Sequence, residues 1–221
     1  MIMNEMFKKI KHTFKKLLKN KNFNSRKYWE ERYNKGGNSG AGSYNRLAKF
    51  KADILNDFVM KNNVSRVIEY GCGDGNNLSL FKFKHYIGYD VSKTCIDLCK
   101  NKFGNDNTKE FYLINKNIPN IKAELVISLD VIYHLIEDKV FEKYIKDLIN
   151  SSEKFVIIYA SNKEEQSSSI HVKHRKFTDY IAKHFPNLQQ IDFIKNKYPF
   201  DDNDPDNTSF ADFYIYKKLK L

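Results

Sequence analysis

With 221 residues, 41% of them hydrophobic and 14% aromatic, the chain has enough apolar material for one buried core and too much for a disordered segment. No apolar run approaches the length of a membrane span, and no continuous apolar stretch follows the basic N-terminus, so a secretory leader is not expected. The formal charge of +11 invites a nucleic-acid partner, but residues 1–27 contribute +8 of it, leaving +3 for the other 194, so the charge sits in the tail and argues against such a partner for the body.

Residues 1–22 form a basic amphipathic segment: Met3, Met6 or Phe7, Ile10, Phe14, Leu17 and Leu18 recur at three- and four-residue spacing between lysines. Such a helix can cap the core or lie frayed in solvent, rest peripherally on an anionic membrane face, or dock a partner or nucleic acid. Residues 23–221 read as a single domain. It opens with Tyr28-Trp29-Glu30-Glu31-Arg32-Tyr33 and a loop, 34–43, with four glycines in seven residues. The only Trp lies on one side of that loop and Tyr44 and Arg46 on the other, so it reads as a lid over a ligand rather than a linker. Trp29, Tyr33, Tyr44 and Arg46 are accordingly candidate substrate contacts.

Arg46 to Val59 has helical spacing. Apolar strands then alternate with helical patterns, the signature of an α/β sheet. The expected strands are Arg66–Tyr70, Tyr86–Asp90, Glu110–Ile114, Leu125–Leu129, Phe155–Ala160, Gln190–Lys195 and Phe210–Tyr216. The expected helices are Asn76–Phe81, Lys93–Phe103, Lys139–Ile149 and Phe177–Phe185. The cysteines Cys72, Cys95 and Cys99 are odd in number and lack zinc spacing, which points to a reducing, cytoplasmic address.

The first strand ends in Gly71-Cys72-Gly73-Asp74-Gly75, where glycines let backbone N–H groups approach a ligand. The spacing is G-x-G-x-G with Asn76 following, which departs from the G-x-G-x-x-G dinucleotide fingerprint. Glu69 precedes this turn at the end of an apolar strand, where a carboxylate needs donors from turn amides or a ligand amino group. Asp90 ends the second strand, where an acid can accept both hydroxyls of a ribose.

Together with Gly88-Tyr89-Asp90-Val91-Ser92 and Leu125 to Leu135, these residues resemble class I S-adenosylmethionine-dependent methyltransferases over about residues 64 to 160. The resemblance implies a Rossmann-like doubly wound, mostly parallel seven-stranded sheet whose last strand is antiparallel. It implies that Glu69, Tyr70, Gly71, Cys72 and Gly73 cradle the methionine part of S-adenosyl-L-methionine. Asp90 and Val91 then hold the ribose and adenine, Asn115 and Lys116 meet the adenine edge, and Ser128 and Asp130 line the sulfonium end. The departure is at Asn115-Lys116-Asn117, where the family often has an acid.

Methyl transfer is an in-line displacement that depends mainly on positioning. A hydroxyl acceptor also benefits from a base, and His134, four residues past Asp130, is the candidate, with packing or helix capping as the alternative role. Beside it, Tyr133 is a further candidate substrate contact. After the fifth strand, His171, His174 and Arg175 could receive an anionic substrate; two histidines without a third ligand assign no metal. No Asn/Asp-Pro-Pro-aromatic sequence follows the fourth strand, which sets aside the amino-methylating pattern for nucleobases and glutamine. A finer resemblance, carried by Tyr28-Trp29-Glu30, the His-x-x-His-Arg-Lys-Phe-Thr run and the ending Asp206 to Phe213, is to small bacterial methyltransferases of surface-polysaccharide biosynthesis. It implies a small anionic acceptor such as a sugar nucleotide or a phosphoramidate intermediate. The alternatives are an RNA or protein methyltransferase using the basic tail, and a non-catalytic cofactor-binding scaffold.

Overall fold

The computed structural model describes residues 23–115, 119–165, 167 and 169–219. The basic segment 1–22, and with it every expectation placed there, lies outside the described residues, as does Lys116.

Seven strands form one sheet: β1 (Arg66–Tyr70), β2 (His85–Asp90), β3 (Lys109–Leu113), β4 (Ala123–Leu129), β5 (Ser152–Ala160), β6 (Leu188–Ile194) and β7 (Asp212–Lys218). Their order is β3-β2-β1-β4-β5-β7-β6, and only β7 runs antiparallel to its neighbours. The expected fold class is the observed one. The chain reverses its direction of growth between β1 and β4, which opens a crevice at their carboxyl ends.

The central strands are apolar on both faces because helices cover both. Val67, Leu125, Ile127 and Ile157 pack beneath α2 (Asn45–Lys61) and α3 (Lys93–Phe103). Ile68, Val126, Val156 and Ile158 pack beneath α4 (Asp138–Asn150) and α5 (Phe177–His184). Leu125, Val126 and Ile127 are fully buried, each worth about 1.5–3 kcal/mol of burial. Ser92 caps α3 by accepting from the Cys95 amide at 3.1 Å. Among the described residues, no helix is long and apolar enough to cross a membrane.

Two segments differ from the sequence expectation. Residues expected to form a helix at Asn76–Phe81 make only a short 3-10 turn, Asn77–Leu80, because the chain enters it from Gly75 at φ +71° and leaves it extended at Phe81. Residues Ser25–Asn34 form a helix, α1, that weak amphipathicity concealed. Asn24 caps it, accepting from the Lys27 amide at 2.8 Å.

Candidate active site

The crevice is a cavity of about 660 Å³, within the range of a cofactor site. Its floor is the turn after β1. There Gly71 has φ +83° and Gly73 φ +58°. A Cβ on Gly71 would lie 2.4 Å from Val131 Cγ2, and one on Gly73 2.3 Å from Ser39 Oγ, so no other residue fits either position without displacing a neighbour.

Asp90, buried at the end of β2, faces the same cavity. Its Oδ2 accepts from the Gly73 amide at 3.0 Å and its Oδ1 from the Ser92 amide at 2.9 Å. Burial raises its pKa while the Ser92, Gly73 and Val91 amides oppose the shift. Val91, Ile114 and Asn115 continue the wall toward the third strand.

The glycine-rich loop is fastened over this floor through Asp74. The Ser39 amide donates to Asp74 Oδ2 at 2.9 Å, the Asp74 amide donates to Ser39 Oγ at 2.9 Å, and Tyr44 Oη donates to Asp74 Oδ2 at 2.7 Å. Tyr33, from α1, completes the clasp at 2.9 Å from Ser39 Oγ and lines the cavity. Asp74 was legible only as a turn residue, because Ser39 and Tyr44 lie thirty or more positions away.

Helix α1 roofs the cavity with Ser25, Arg26, Trp29 and Tyr33. It is anchored on the turn after β4: the Ser25 amide donates to Glu137 Oε1 at 3.0 Å, placing a carboxylate at the helix N-terminus. Ser25 Oγ accepts from the Ile136 amide at 3.2 Å, and the Arg26 guanidinium donates to the Ile114 carbonyl at 2.5 Å.

His134 lines the cavity beneath Trp29, with ring centroids 4.9 Å apart. Its Nδ1 lies 2.8 Å from the His171 carbonyl oxygen, which can only accept. Nδ1 therefore carries the proton and Nε2 keeps its lone pair. Burial pulls the imidazole pKa down to about 4, against the effect of the His171 hydrogen bond, so the ring is neutral near pH 7.

Asp130 also lines the cavity. Its carboxylate takes Tyr133 Oη on Oδ1 at 2.8 Å and Lys51 Nζ on Oδ2 at 2.5 Å. Tyr70, Gly71, Cys72 and Gly73 line the floor.

Several candidate residues stand elsewhere. Glu69 points to the α2 side of β1, accepts from Tyr86 Oη at 2.6 Å, and is not part of the cavity wall. Strand alternation explains this, since Glu69 shares the face of Val67 rather than that of Tyr70. Burial raises its pKa to about 7. Ser128 is buried behind Tyr144, its Oγ 2.7 Å from Tyr144 Oη, and Tyr144 in turn donates to the Tyr70 carbonyl at 2.9 Å. Tyr44 holds the loop through Asp74 and Tyr133 holds Asp130; neither forms part of the cavity wall. Arg46 binds the Asn207 carbonyl at 2.6 Å and Asp204 at 3.0 Å, and lies over the Tyr198 ring.

The expected anion receptor is not one. Arg175 donates to the carbonyls of Leu135 at 2.6 Å and Ile136 at 3.0 Å and to Asp138 at 2.8 Å, so its fork is spent on the turn after β4. His174 Nδ1 is 2.7 Å from Ser161 Oγ, and His171 is stacked between Tyr28 and His134. None of the three forms part of the cavity wall. Local spacing suggested a cationic cluster; the backbone carbonyls left open by the turn after β4 consume the guanidinium. Among the described residues no group of three or more His, Cys, Asp or Glu is placed to hold a metal ion.

A doubly wound sheet with a glycine-floored crevice and an acid at the second strand end is the arrangement in which open α/β sheets hold nucleotide cofactors. Residues 41–195 match the methyltransferase-domain family, and the chain belongs to it. Comparison with curated protein sequences yields no match.

Solved structures with the same fold include magnesium protoporphyrin IX methyltransferase from Synechocystis PCC 6803 with bound S-adenosylmethionine. It has a TM-score of 0.65 at 12% identity, with 89% of this chain and 98% of that one covered. The N-methyltransferase NodS from Bradyrhizobium japonicum WM9, in complex with S-adenosyl-L-homocysteine, matches at TM-score 0.61 and 12% identity over 79% of this chain and 88% of its own. An S-adenosylmethionine-dependent methyltransferase from Clostridium acetobutylicum ATCC 824 matches at TM-score 0.57 and 16% identity over 79% and 92%.

Proposed function

We propose that the enzyme uses S-adenosyl-L-methionine to methylate a hydroxyl group of a small metabolite, with His134 as general base. The cofactor supplies an electrophilic methyl group on a sulfonium. The site fits it: the Gly71–Gly73 floor has no room for a Cβ, and Asp90 presents a carboxylate suited to ribose hydroxyls. Val91, Ile114 and Asn115 would hold the adenine, and Tyr70 to Gly73 the methionine part. Trp29 and Tyr33 exclude water from above.

The observation that carries the hydroxyl reading is the His134 tautomer. A neutral imidazole with its Nδ1 proton tied to a carbonyl offers Nε2 as the acceptor for a hydroxyl proton. The sequence pointed to an anionic acceptor of surface-glycan biosynthesis on the strength of His171, His174 and Arg175. Those side chains are otherwise engaged, so the reading rests on the hydroxyl and not on a phosphate clamp.

The test incubates the protein with methyl-labelled cofactor and a panel of sugar phosphates, sugar nucleotides, phosphoramidates and amino sugars. Labelled methyl ethers or esters, absent with Asp90→Ala, are expected. Label found only on nitrogen would overturn the hydroxyl reading, and no transfer to any member would overturn the acceptor class.

A further inference from the structure

Lys51 is fully buried in the middle of α2, on the face that carries Leu47, Ala48, Ala52 and Leu55, within electrostatic reach of the buried Glu69 carboxylate. Burying an ammonium is costly, and an apolar side chain of similar volume would serve packing as well or better. It meets Asp130 Oδ2 at 2.5 Å and lies 5.4 Å from the centre of the Tyr159 ring.

Three further features converge on the same carboxylate. Asp130 is held at φ +60°, a left-handed conformation that a non-glycine residue adopts at a cost. Its amide donates to the Tyr159 carbonyl at 2.8 Å, which locks that backbone. The glycine-rich loop passes so close that a Cβ on Gly42 would lie 2.8 Å from Asp130 Oδ2. Three segments distant from it in sequence thus surround Asp130, Lys51 on its carboxylate, Tyr159 on its amide and the Gly42 loop beside it, and it remains part of the cavity wall.

Strand order says what that carboxylate faces. Asp90 ends β2, on one side of the β1 turn, and Asp130 directly follows β4, on the other. With the ribose at Asp90 and the methionine part over the β1 turn, the third substituent of the sulfur is left the β4 side, where Asp130 and His134 stand.

We propose that Lys51 is a positioning residue that holds the Asp130 carboxylate toward the sulfonium, so that the pair distinguishes the cationic cofactor from its neutral thioether product. The inference rests on the cofactor reading above. A fixed carboxylate attracts the sulfonium and gains nothing from the thioether, while Lys51 and Tyr133 keep it from collapsing onto other donors. Charge complementarity of this kind favours exchange of spent product for fresh cofactor.

The test is calorimetric and needs no acceptor. The full-length protein is titrated with S-adenosylmethionine, with S-adenosylhomocysteine, and with sinefungin, whose protonated amine replaces the methyl sulfonium. Asp130→Asn and Lys51→Met are expected to weaken the two cationic ligands about tenfold and the thioether by no more than about twofold. The double variant Lys51→Met/Asp130→Asn removes both members of the ion pair together. It is expected to recover the thermal stability lost in Lys51→Met while keeping the Asp130→Asn affinity ratio, so the test stands even where Lys51→Met folds poorly. Parallel loss of all three ligands, or unchanged ratios, would overturn the proposal. Wild-type protein that binds none of the three would overturn the cofactor reading itself.

Discussion

The two ends of the cavity are built by different means. The end beneath β1 and β2 is made of backbone: glycines in left-handed turns, amides fixing Asp90, and neighbours packed too tightly for any Cβ. The end beyond β4 is lined by side chains from distant segments, Trp29 from α1 with Asp130 and His134 after β4, and these are held from behind by Lys51, Tyr133 and the His171 carbonyl. Backbone construction is local, so it suits a ligand that never changes. Side-chain assembly lets a conserved fold accept different substrates by changing a few positions.

Substitutions at the two ends should separate these roles. The largest effect is expected at the side-chain end, where His134→Gln lowers turnover by about 10²–10³ while calorimetry shows cofactor affinity nearly intact. Equal losses in both would show that His134 is a scaffold residue. At the backbone end the pattern reverses: Asp90→Ala should weaken cofactor binding about 100-fold, through loss of charge-assisted hydrogen bonds, and undiminished affinity would sink that assignment. Gly71→Ala forces a Cβ into Val131 at φ +83° and should cost about 2–4 kcal/mol in chemical denaturation.

Stability against pH sharpens the contrast, because His134 and Glu69 titrate in opposite senses. His134 is lowered from 6.5 to about 4, so its unfolded form binds the extra proton and stability drops as pH falls from about 6.5 to 4. Glu69 is raised from 4.5 to about 7, so its folded form binds the extra proton and stability drops as pH rises from 4.5 to about 7. Between pH 4.5 and 6.5 the two offset each other. Glu69→Gln should expose the acid-side loss alone and His134→Gln the opposite slope, each on the order of 2–3 kcal/mol of unfolding free energy from urea titrations across pH. A slope unaltered by either variant would place the titrating groups elsewhere. The smallest effect is expected at Arg175→Lys, which surrenders part of a fork on the carbonyls of Leu135 and Ile136: about 1–2 kcal/mol of stability. A selective loss of affinity for phosphorylated acceptors, with stability kept, would restore Arg175 as a substrate ligand.

The strands of the parallel sheet are continuous apolar runs ended by turn residues, and both features are local. The glycine turn and Asp90 were readable for the same reason. Glu69 misled because a carboxylate at a strand end looks alike whether it faces a ligand or, as here, a tyrosine behind the strand. Arg175 misled because the carbonyls it satisfies belong to a turn some forty positions earlier. Lys51 gave no signal, being one more lysine on an amphipathic helix until packing placed it inside.

By itself the sequence determined the doubly wound sheet, the glycine floor and the acid at the second strand end, since each depends on neighbours a few residues apart. Only the tertiary structure decided which cation meets Asp130, which nitrogen of His134 keeps its lone pair, and that the 171–175 cluster supports the wall rather than lining it. Those outcomes depend on which donors and acceptors are buried together, and burial is a property of the packed chain.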